Sequence, residues 1–216
     1  MNGRSKELQA FLDTAEAAIL ERTGPDDLAR QSAERIFGAL RRRPGQAVAR
    51  IPANLPVLAN LHDVAQSLAA EPSAANAGAA KHAMALAALV SKLNWSKRKG
   101  SEALGEPFVS GHANTTIVGE GGIEQRDDVW IGATVLAPGI RYPFHHHPPE
   151  EVYVVMSPGD WYQEGRGWFE PGTGGIVFNR PDIEHSMRST GSAPLLATWW
   201  LWRGDSGNAR TGGLGR

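Results

Sequence analysis

Histidine and carboxylate side chains are concentrated in one short stretch in the second half of the chain. Three consecutive histidines begin at His145, and Glu151 and Tyr153 follow them. Because side chains on a strand alternate between its two faces, His145 and His147 share a face. Glu151 and Tyr153 join that face if the two prolines between them preserve the register. Two imidazoles and a carboxylate on one face suit a divalent transition metal.

A third imidazole is expected from elsewhere in the chain. His185 is the best candidate, because it follows a glycine-rich turn and a short strand. A divalent ion held by neutral imidazoles and one ionised carboxylate keeps a positive charge, which attracts an anionic ligand. The alternative is a polar cluster held by hydrogen bonds without a metal, but burying such groups is costly unless each is paired. His112 is expected in a surface loop.

The second half of the chain consists of short segments of strand composition, separated by turn signals such as Pro171-Gly172. Evenly spaced short strands with glycine-rich turns are typical of a sandwich or barrel. The predicted strands cover residues 115–118, 129–136, 144–147, 151–156, 167–170, 175–179, 185–189 and 195–202.

The first half has apolar residues at helical spacing and is rich in alanine. It predicts four helices, at about residues 5–22, 25–43, 55–70 and 74–93. The run Arg41 to Arg43 is interpreted as cations at a helix C-terminus, where they face the negative end of the helix dipole. His62 and His82 have no partner at ligand spacing and are interpreted as ordinary helix residues.

Composition narrows the class of protein. The chain has 216 residues, 41% of them apolar and 21% charged, which favours a packed core over disorder. It has no cysteine, which excludes disulfides and thiolate metal sites. The longest apolar run is eight residues, too short for a membrane-spanning helix, and no signal peptide is recognisable, so a cytoplasmic location is expected. The net charge of −1 argues against a dedicated nucleic-acid binder.

Charge also divides the chain near residue 105. Residues 1–105 have 14 Lys and Arg against 10 Asp and Glu, whereas residues 106–216 have 8 against 13. We therefore expect a helical N-terminal extension over residues 1–105 and a β-barrel carrying the metal site over residues 106–203. A flexible, glycine-rich tail is expected over residues 204–216.

Two motifs resemble the paired metal-binding motifs of the cupins. Gly139, His145, His147 and Glu151 are spaced like the first motif, and the stretch from Gly175 through Pro181 to His185 resembles the second. The second motif is one residue shorter than usual and has Ile183 in place of a glycine. The resemblance implies a mainly β fold, a cupin barrel (double-stranded β-helix or jelly roll), here with an N-terminal α-helical extension.

A narrower resemblance covers roughly residues 129–203. The stretch HHHPPEEVYVVMS, the later Trp161-Tyr162 and Trp168, and the stretch NRPDIEHSMRS are similar to the cupin dimethylsulfoniopropionate lyases, especially the DddL type. Such lyases cleave dimethylsulfoniopropionate to dimethyl sulfide and acrylate with a bound divalent metal. The resemblance implies that the general base is Tyr153, with Tyr142 as its rival. The implied metal ligands are His145, His147, Glu151 and His185.

The residues fit this chemistry. A base must remove the proton next to a carboxylate, and a tyrosine beside a dication is a credible base because the positive charge favours its phenolate. We favour Tyr153, because it has the strand parity of the ligands. The leaving group is a sulfonium, which aromatic faces can hold. The predicted substrate-binding residues are Trp161, Tyr162 and Trp168.

Other functions remain open at this stage. Three histidines and a glutamate also serve iron(II) dioxygenases and sugar-phosphate isomerases, although no basic cluster for phosphate is evident. A ligand sensor is the third alternative, but no basic recognition helix is apparent. The expected cofactor is one divalent ion per chain, for which Fe²⁺, Zn²⁺, Mn²⁺, Co²⁺ and Ni²⁺ all suit the ligands. The helices are expected to cap the barrel and to form the interface of a homodimer.

Overall fold

The computed structural model describes residues 4–53, 55–71 and 73–204. Helices occupy most of the first half, and short 3₁₀ turns at Pro56–Leu58, Val90–Lys92 and Ser101–Leu104 accompany them. The Ser5 side chain caps the first helix by accepting from the Leu8 amide, and Asp27 caps the second by accepting from Ala29. The α-helices are α1 (Lys6–Arg22), α2 (Leu28–Arg42), α3 (Ala59–Ala70), α4 (Ala77–Ala87) and α5 (Glu106–Gly111).

Within the described residues, ten strands form two sheets. The larger sheet has the order β1-β3-β2-β4-β10-β5-β8, and the smaller has the order β7-β6-β9. Apart from the parallel contact of β2 with β3, neighbouring strands are antiparallel. The strands are β1 (Gln46–Ala47), β2 (His112–Val118), β3 (Glu124–Gln125), β4 (Val129–Leu136), β5 (Glu150–Val155), β6 (Asp160–Gln163), β7 (Gly167–Phe169), β8 (Ile176–Asn179), β9 (His185–Arg188) and β10 (Leu195–Trp202).

The two faces of the seven-stranded sheet have different partners. One face, which includes Val152 and Trp200, packs against α1 to α4 and forms one continuous hydrophobic core with them. The opposite face, which includes Tyr153 and Ala197, packs toward the three-stranded sheet and forms a second core inside the barrel. Strand alternation therefore assigns neighbouring residues of β5 and β10 to different cores. The helices cover the outside of the barrel and leave its interior to the site.

The predicted helices and most of the predicted strands agree with the structure, but several elements differ, among them the short strands β1 and β3, which were not predicted. The histidine triplet at 144–147 is not a ladder strand but an isolated bridge between His145 and His185, because the surrounding prolines cannot donate backbone hydrogen bonds. β6 was not predicted, and α5 follows the expected end of the helical segment at residue 105. Residues 205–216, most of the predicted tail, lie outside the described residues. No helix among the described residues is long and apolar enough to cross a bilayer.

Candidate functional site

Three histidine side chains converge inside the barrel. One ring nitrogen from each of His145, His147 and His185 lies within 4.8 Å of those of the other two, so the group could hold a metal ion. The bridge that positions His145 and His185 is double, since each backbone amide donates to the other residue's carbonyl, at 3.0 and 2.9 Å. His147 arrives from the segment that leads into β5. The shared face of His145 and His147 predicted from strand parity is therefore present, although a bridge produces it.

Each of these histidines uses its Nδ1 atom in the same way. Nδ1 lies 3.0 Å from the carbonyl oxygen of Pro143 in His145, 2.9 Å from that of Pro149 in His147, and 2.9 Å from that of Ile183 in His185. Because a carbonyl oxygen only accepts, Nδ1 holds the proton and Nε2 keeps its lone pair. The Nε2 atom of His185 is buried and has no hydrogen-bond partner among the described residues. Such a donor set fits a divalent metal, whose histidine ligands typically have this backbone support.

Glu151 adds a carboxylate to the three imidazoles. Its Oε2 atom lies 3.3 Å from the Nε2 atoms of both His147 and His185. The Nδ2 atom of the buried Asn179 donates to the same oxygen at 2.9 Å, and Gln163 donates to Asn179 Oδ1 at 2.7 Å. Glu151 and Asn179 are directly opposite one another on β5 and β8, so the strand register aligns this chain of hydrogen bonds.

The turn before His185 accommodates the shortened motif. Asp182 takes the left-handed backbone conformation, with φ of 58°, that a glycine would otherwise supply. Its backbone amide donates to the His147 carbonyl at 2.9 Å, which ties the turn to the first histidine segment. The replacement of glycine by Ile183 therefore leaves His185 in position.

The charged states of Glu151 and the three histidines depend on one another. Burial raises the pKa of Glu151, but its electrostatic interactions with the adjacent His147 and His185 outweigh burial and hold that pKa well below 4.5. Burial lowers the pKa of His147, yet the neighbouring Glu151 raises it overall. Burial, reinforced by His185, lowers the pKa of His145 to about 4. Glu151 is thus ionised at neutral pH and available as an anionic ligand.

Two tyrosines face the same space. Tyr153 follows Glu151 by two residues on β5, and its ring makes an edge contact with Trp161 at 6.2 Å. The Tyr142 ring lies 5.2 Å from that of His145, and its hydroxyl accepts from Asn114 Nδ2 at 3.0 Å. Burial and then the Glu151 charge raise the pKa of Tyr153 well above 10. Burial also raises the pKa of Tyr142, although Asn114 and Arg98 oppose that shift.

A cavity of about 500 Å³ opens onto these groups. Its lining includes His145, His147 and Glu151 as well as both tyrosines. Its other aromatic residues are Trp130 and Trp199, whose rings make an edge contact at 5.9 Å. Trp199 is directly opposite Tyr153 across β10 and β5, and directly opposite Gly132 across β10 and β4. A Cβ atom at position 132 would lie 2.1 Å from the Trp199 ring, so the glycine makes room for this indole.

The three predicted substrate-binding aromatics lie elsewhere in the described structure. Trp161 is 1% exposed and packs in the barrel core behind Tyr153. Tyr162 and Trp168 are directly opposite one another on β6 and β7 and pack with Phe144, outside the cavity lining. Strand alternation explains the separation, since Trp161 faces inward and its neighbour Tyr162 therefore faces outward. The indoles that line the cavity are instead those of Trp199 and Trp130.

Two further features of the site were not foreseen. His112 is fully buried rather than in a surface loop, and its ring stacks on Phe108 with 3.9 Å between centroids. The cavity is also lined by Lys97, Arg98 and Lys99, from the segment between the helices and the barrel. The consecutive basic residues were visible in the sequence, but nothing in their spacing indicated that they approach the histidines.

Comparison with known proteins gives the family. The family model described as dimethylsulfoniopropionate (DMSP) lyase matches residues 28–197, which is well over half of the chain. The chain belongs to the DMSP lyase family. The predicted recognition is therefore confirmed at the level of the family. Helices α2 to α5 and strands β1 to β9 of this chain fall within the match, which ends inside β10.

A curated relative of this DMSP lyase family member matches only part of the chain, at modest identity. DMSP lyase DddQ of Ruegeria pomeroyi is 32% identical over 112 residues, which are 51% of this chain and 55% of that protein. The match thus spans about half the length of the curated relative. The DddL type, the narrower prediction, stays a prediction.

Solved structures show the fold. A chain from the crystal structures of the DMSP lyases RdDddP and RnDddQII has a TM-score of 0.64 at 20% identity, with 91% of this chain and 92% of that chain covered. DddQ of R. pomeroyi DSS-3 has a TM-score of 0.61 at 22% identity, with 85% and 95% covered. The predicted mainly β, cupin-type barrel with an N-terminal helical extension is confirmed.

Proposed function

We propose that the protein is a metal-dependent lyase that cleaves dimethylsulfoniopropionate by β-elimination to dimethyl sulfide and acrylate. The observation that carries the proposal is the arrangement of His145, His147 and His185, whose Nδ1 atoms are all held by carbonyls while their Nε2 atoms face one another beside two tyrosines. Membership of the DMSP lyase family supplies the reaction class.

The ligands proposed for the metal are the three histidines and Glu151. One divalent ion per chain is proposed, drawn from Fe²⁺, Zn²⁺, Mn²⁺, Co²⁺ and Ni²⁺, since three nitrogens and one oxygen suit all of them. When bound, the ion supplies Lewis acidity toward the substrate carboxylate and a positive charge that favours a neighbouring phenolate. Gln163 and Asn179 hold the Glu151 carboxylate in place through the hydrogen bonds described above.

The elimination removes the proton from the carbon next to the carboxylate and breaks the carbon–sulfur bond. The phenolate of Tyr153 takes the proton from the carbon next to the carboxylate, that electron pair forms the new double bond, and the carbon–sulfur bond breaks toward sulfur. Neutral dimethyl sulfide and acrylate result, so charge balances. Tyr153 is favoured because it follows Glu151 on the same strand face and lines the cavity; Tyr142 is its rival.

The aromatic wall of the cavity suits the leaving group. A sulfonium is a permanent cation without hydrogen-bond donors, and an indole face attracts such a cation. Trp199 is directly opposite Tyr153, so a sulfonium on its ring lies beside the base. We assign the sulfonium-binding role to Trp199 and Trp130 in place of Trp161, Tyr162 and Trp168.

The proposed activity is tested by measuring dimethyl sulfide in the headspace above the purified protein and dimethylsulfoniopropionate. Release that a chelator abolishes, and that added Fe²⁺ or Mn²⁺ restores, is the expected result. Metal content measured on the same samples should be about one ion per chain, as a single four-ligand site requires. No release from fully metal-loaded protein would show that the site serves a different reaction.

The base is tested with the paired substitutions Tyr153→Phe and Tyr142→Phe. Tyr153→Phe is expected to lower kcat by about 10²- to 10⁴-fold while metal content is unchanged, because only the proton acceptor is removed. Tyr142→Phe is expected to lower kcat less. The reverse order would move the base to Tyr142, and full activity in both variants would contradict a tyrosine base.

The remaining proposals concern assembly and location. The protein is proposed to be a cytoplasmic homodimer that acts on a small molecule, with no nucleic-acid or membrane partner. Residues 1–105 and 106–203 are proposed as its two structural parts. β1 nevertheless joins the larger sheet, and residues 96–99 line the cavity, so the helical part contributes to the barrel. Light scattering coupled to gel filtration measures the assembly.

A further inference from the structure

A short basic segment, residues 96–99, forms one margin of the cavity. Ser96 bridges Asn114 on β2 through two backbone hydrogen bonds, of 2.8 and 2.9 Å. The segment therefore lies alongside the edge of β2 and continues into the mouth of the barrel. This attachment places the side chains of Lys97, Arg98 and Lys99 on the cavity.

The segment is fixed on His112 and its neighbours. Lys97 Nζ donates to the His112 carbonyl at 2.8 Å, so this cation already has a structural contact. The Arg98 backbone amide donates to His112 Nε2 at 2.8 Å. Because His112 is fully buried, it anchors the backbone of Arg98 to the barrel and limits where the guanidinium can go.

The Arg98 guanidinium faces the site without a carboxylate partner. Its central carbon lies 5.9 Å from the centroid of the Tyr142 ring, which is itself in contact with the His145 ring. Some arginines of the described chain, such as Arg4, Arg126 and Arg188, are paired with Asp or Glu side chains, whereas Arg98 differs from the other unpaired ones in lining the cavity. Within the described residues no such ion pair involves Arg98. A half-buried guanidinium beside a cavity, with its charge unpaired, is suited to bind an anion.

The two sides of the cavity differ in what they attract. Arg98 lies beyond the β2 edge, whereas Trp199 is on β10, two strands further along the sheet. Neighbouring strands are spaced at about 4.8 Å, so the two strands lie about 10 Å apart. One side therefore favours an anionic group, and the other offers an aromatic face to a cationic group. A short zwitterion with a carboxylate at one end and a sulfonium at the other matches this polarity.

From this arrangement we infer that Arg98 binds the carboxylate of the substrate and, with Trp199 opposite, selects short zwitterionic carboxylates and fixes their orientation. The inference rests on the proposed lyase function and deepens it, since it names a group that recognises the substrate. A guanidinium offers two parallel N–H donors that match the two oxygens of a carboxylate. It also repels the sulfonium end, which disfavours the reversed orientation.

The test separates the two ends of the substrate by using half-molecules as probes. Propionate has the carboxylate alone, and trimethylsulfonium has the cation alone. Their binding to metal-loaded wild type, Arg98→Gln and Arg98→Lys is measured by calorimetry, with metal content and melting temperature matched. The control is Arg141→Gln, since Arg141 also lies over an aromatic ring, that of Phe144, but outside the cavity lining.

Arg98→Gln is expected to weaken propionate binding about 10- to 100-fold, as loss of a charged hydrogen-bond partner does, and to leave trimethylsulfonium within about twofold. Arg98→Lys is expected to lie between, because it keeps the charge and loses the planar fork. In turnover, KM for dimethylsulfoniopropionate should rise with the propionate constant, whereas kcat changes less. Arg141→Gln should match wild type.

Three results would overturn the inference. The first is unchanged propionate binding in Arg98→Gln, and the second is an equal weakening of both probes, which would indicate a general structural role. The third is inorganic phosphate that binds wild type more tightly than propionate and loses that advantage in Arg98→Gln, which would make the segment a phosphate site. Because probe binding needs no turnover, wild type that binds propionate through Arg98 but releases no dimethyl sulfide would refute only the lyase function.

Discussion

His82 and the three histidines inside the barrel lie in two different regions of the described structure, and their ring nitrogens are satisfied in different ways. His82 lies in α4, at the interface between the helices and the outer face of the larger sheet. Its Nδ1 atom lies 3.2 Å from Thr14 Oγ1, and its Nε2 atom lies 2.9 Å from Thr198 Oγ1. Inside the barrel, His145, His147 and His185 each bond a backbone carbonyl through Nδ1 only.

The directions of those bonds separate a structural histidine from a ligand. Thr198 Oγ1 accepts from Trp200 Nε1 at 3.0 Å, which leaves its own proton for His82 Nε2. Thr14 Oγ1 donates to the Ala10 carbonyl at 2.8 Å and can accept from His82 Nδ1. Both nitrogens of a neutral His82 are thereby paired within the protein. The barrel histidines are paired at one nitrogen and aim the other at a shared centre, so burial alone does not identify a ligand.

The largest expected effect comes from removing one histidine from each of these two regions. His185→Ala removes a ligand and is expected to weaken metal binding by more than about 100-fold, beyond the loss typical of residues that only support ligands. His82→Ala is expected to keep one ion per chain but to lower the free energy of unfolding by about 2 to 4 kcal/mol, through a cavity and unpaired hydroxyl groups. Metal content after dialysis and urea unfolding of chelated protein measure the two quantities.

The comparison between the two regions would be contradicted if His82→Ala lost its metal or if His185→Ala kept it. His82→Ala with normal stability and no bound metal would place a ligand role on the helices. His185→Ala that retains a full metal content would show that the remaining side chains suffice. His82→Gln serves as the milder control, since its amide can still hydrogen-bond and the loss of stability should be smaller than for alanine.

The convergence of the proposed ligands could be predicted from sequence because it depends on local spacing, whereas their role as metal ligands stays a prediction. His145, His147 and Glu151 are a few residues apart, and alternation places them on one face whether the backbone forms a ladder or a single bridge. To predict His185 as a further ligand, it was enough to expect a second strand beside the first histidine segment. Val152 and Val154, which alternate with Glu151 and Tyr153 along β5, lie on the opposite face and pack in the core shared with the helices.

The aromatic wall could not be predicted in the same way. Alternation shows that Trp199 and Trp200 face opposite sides of β10, but not which side is the cavity. That depends on register, since Trp199 is opposite Tyr153 and Gly132, and on the space that Gly132 leaves. The prediction of Trp161, Tyr162 and Trp168 came from one stretch of sequence, whereas side chains from five strands, β2, β4, β5, β9 and β10, line the cavity.

Arg98 and His112 show a second limit of sequence reasoning. The hydrogen bond between them joins the end of the helical half to the start of β2. The two residues are 14 positions apart, and no helical or strand periodicity relates them. A histidine at the end of a short helix is typical of a loop, so its burial depends on the ring stack with Phe108 and on the Arg98 amide. Long-range packing of this kind positions residues 96–99 at the margin of the cavity.

The smallest expected effect is on the pH dependence of the free energy of unfolding, to which His82 contributes. Burial lowers the pKa of His82 to about 3, against a slight opposing hydrogen bond from the Phe11 backbone. The unfolded chain takes up this proton near pH 6.5, so between pH 6.5 and about 3 the unfolded state binds more protons than the folded state. His82 therefore makes stability fall as the pH falls through that window. Its contribution is constant above the window.

His82→Gln should flatten this dependence by up to one proton, which is about 1.4 kcal/mol per pH unit. Urea unfolding of chelated wild type and variant between pH 4.5 and 8 measures it, and the two curves should run parallel above about pH 7.5 because neither form of His82 is then charged. Chelation matters because burial also lowers the pKa of His145, to about 4, and a bound metal would replace that proton uptake by metal release. Parallel curves throughout the range would show that water reaches His82 at the helix interface, and the distinction between the two regions would then rest on their ligand geometry alone.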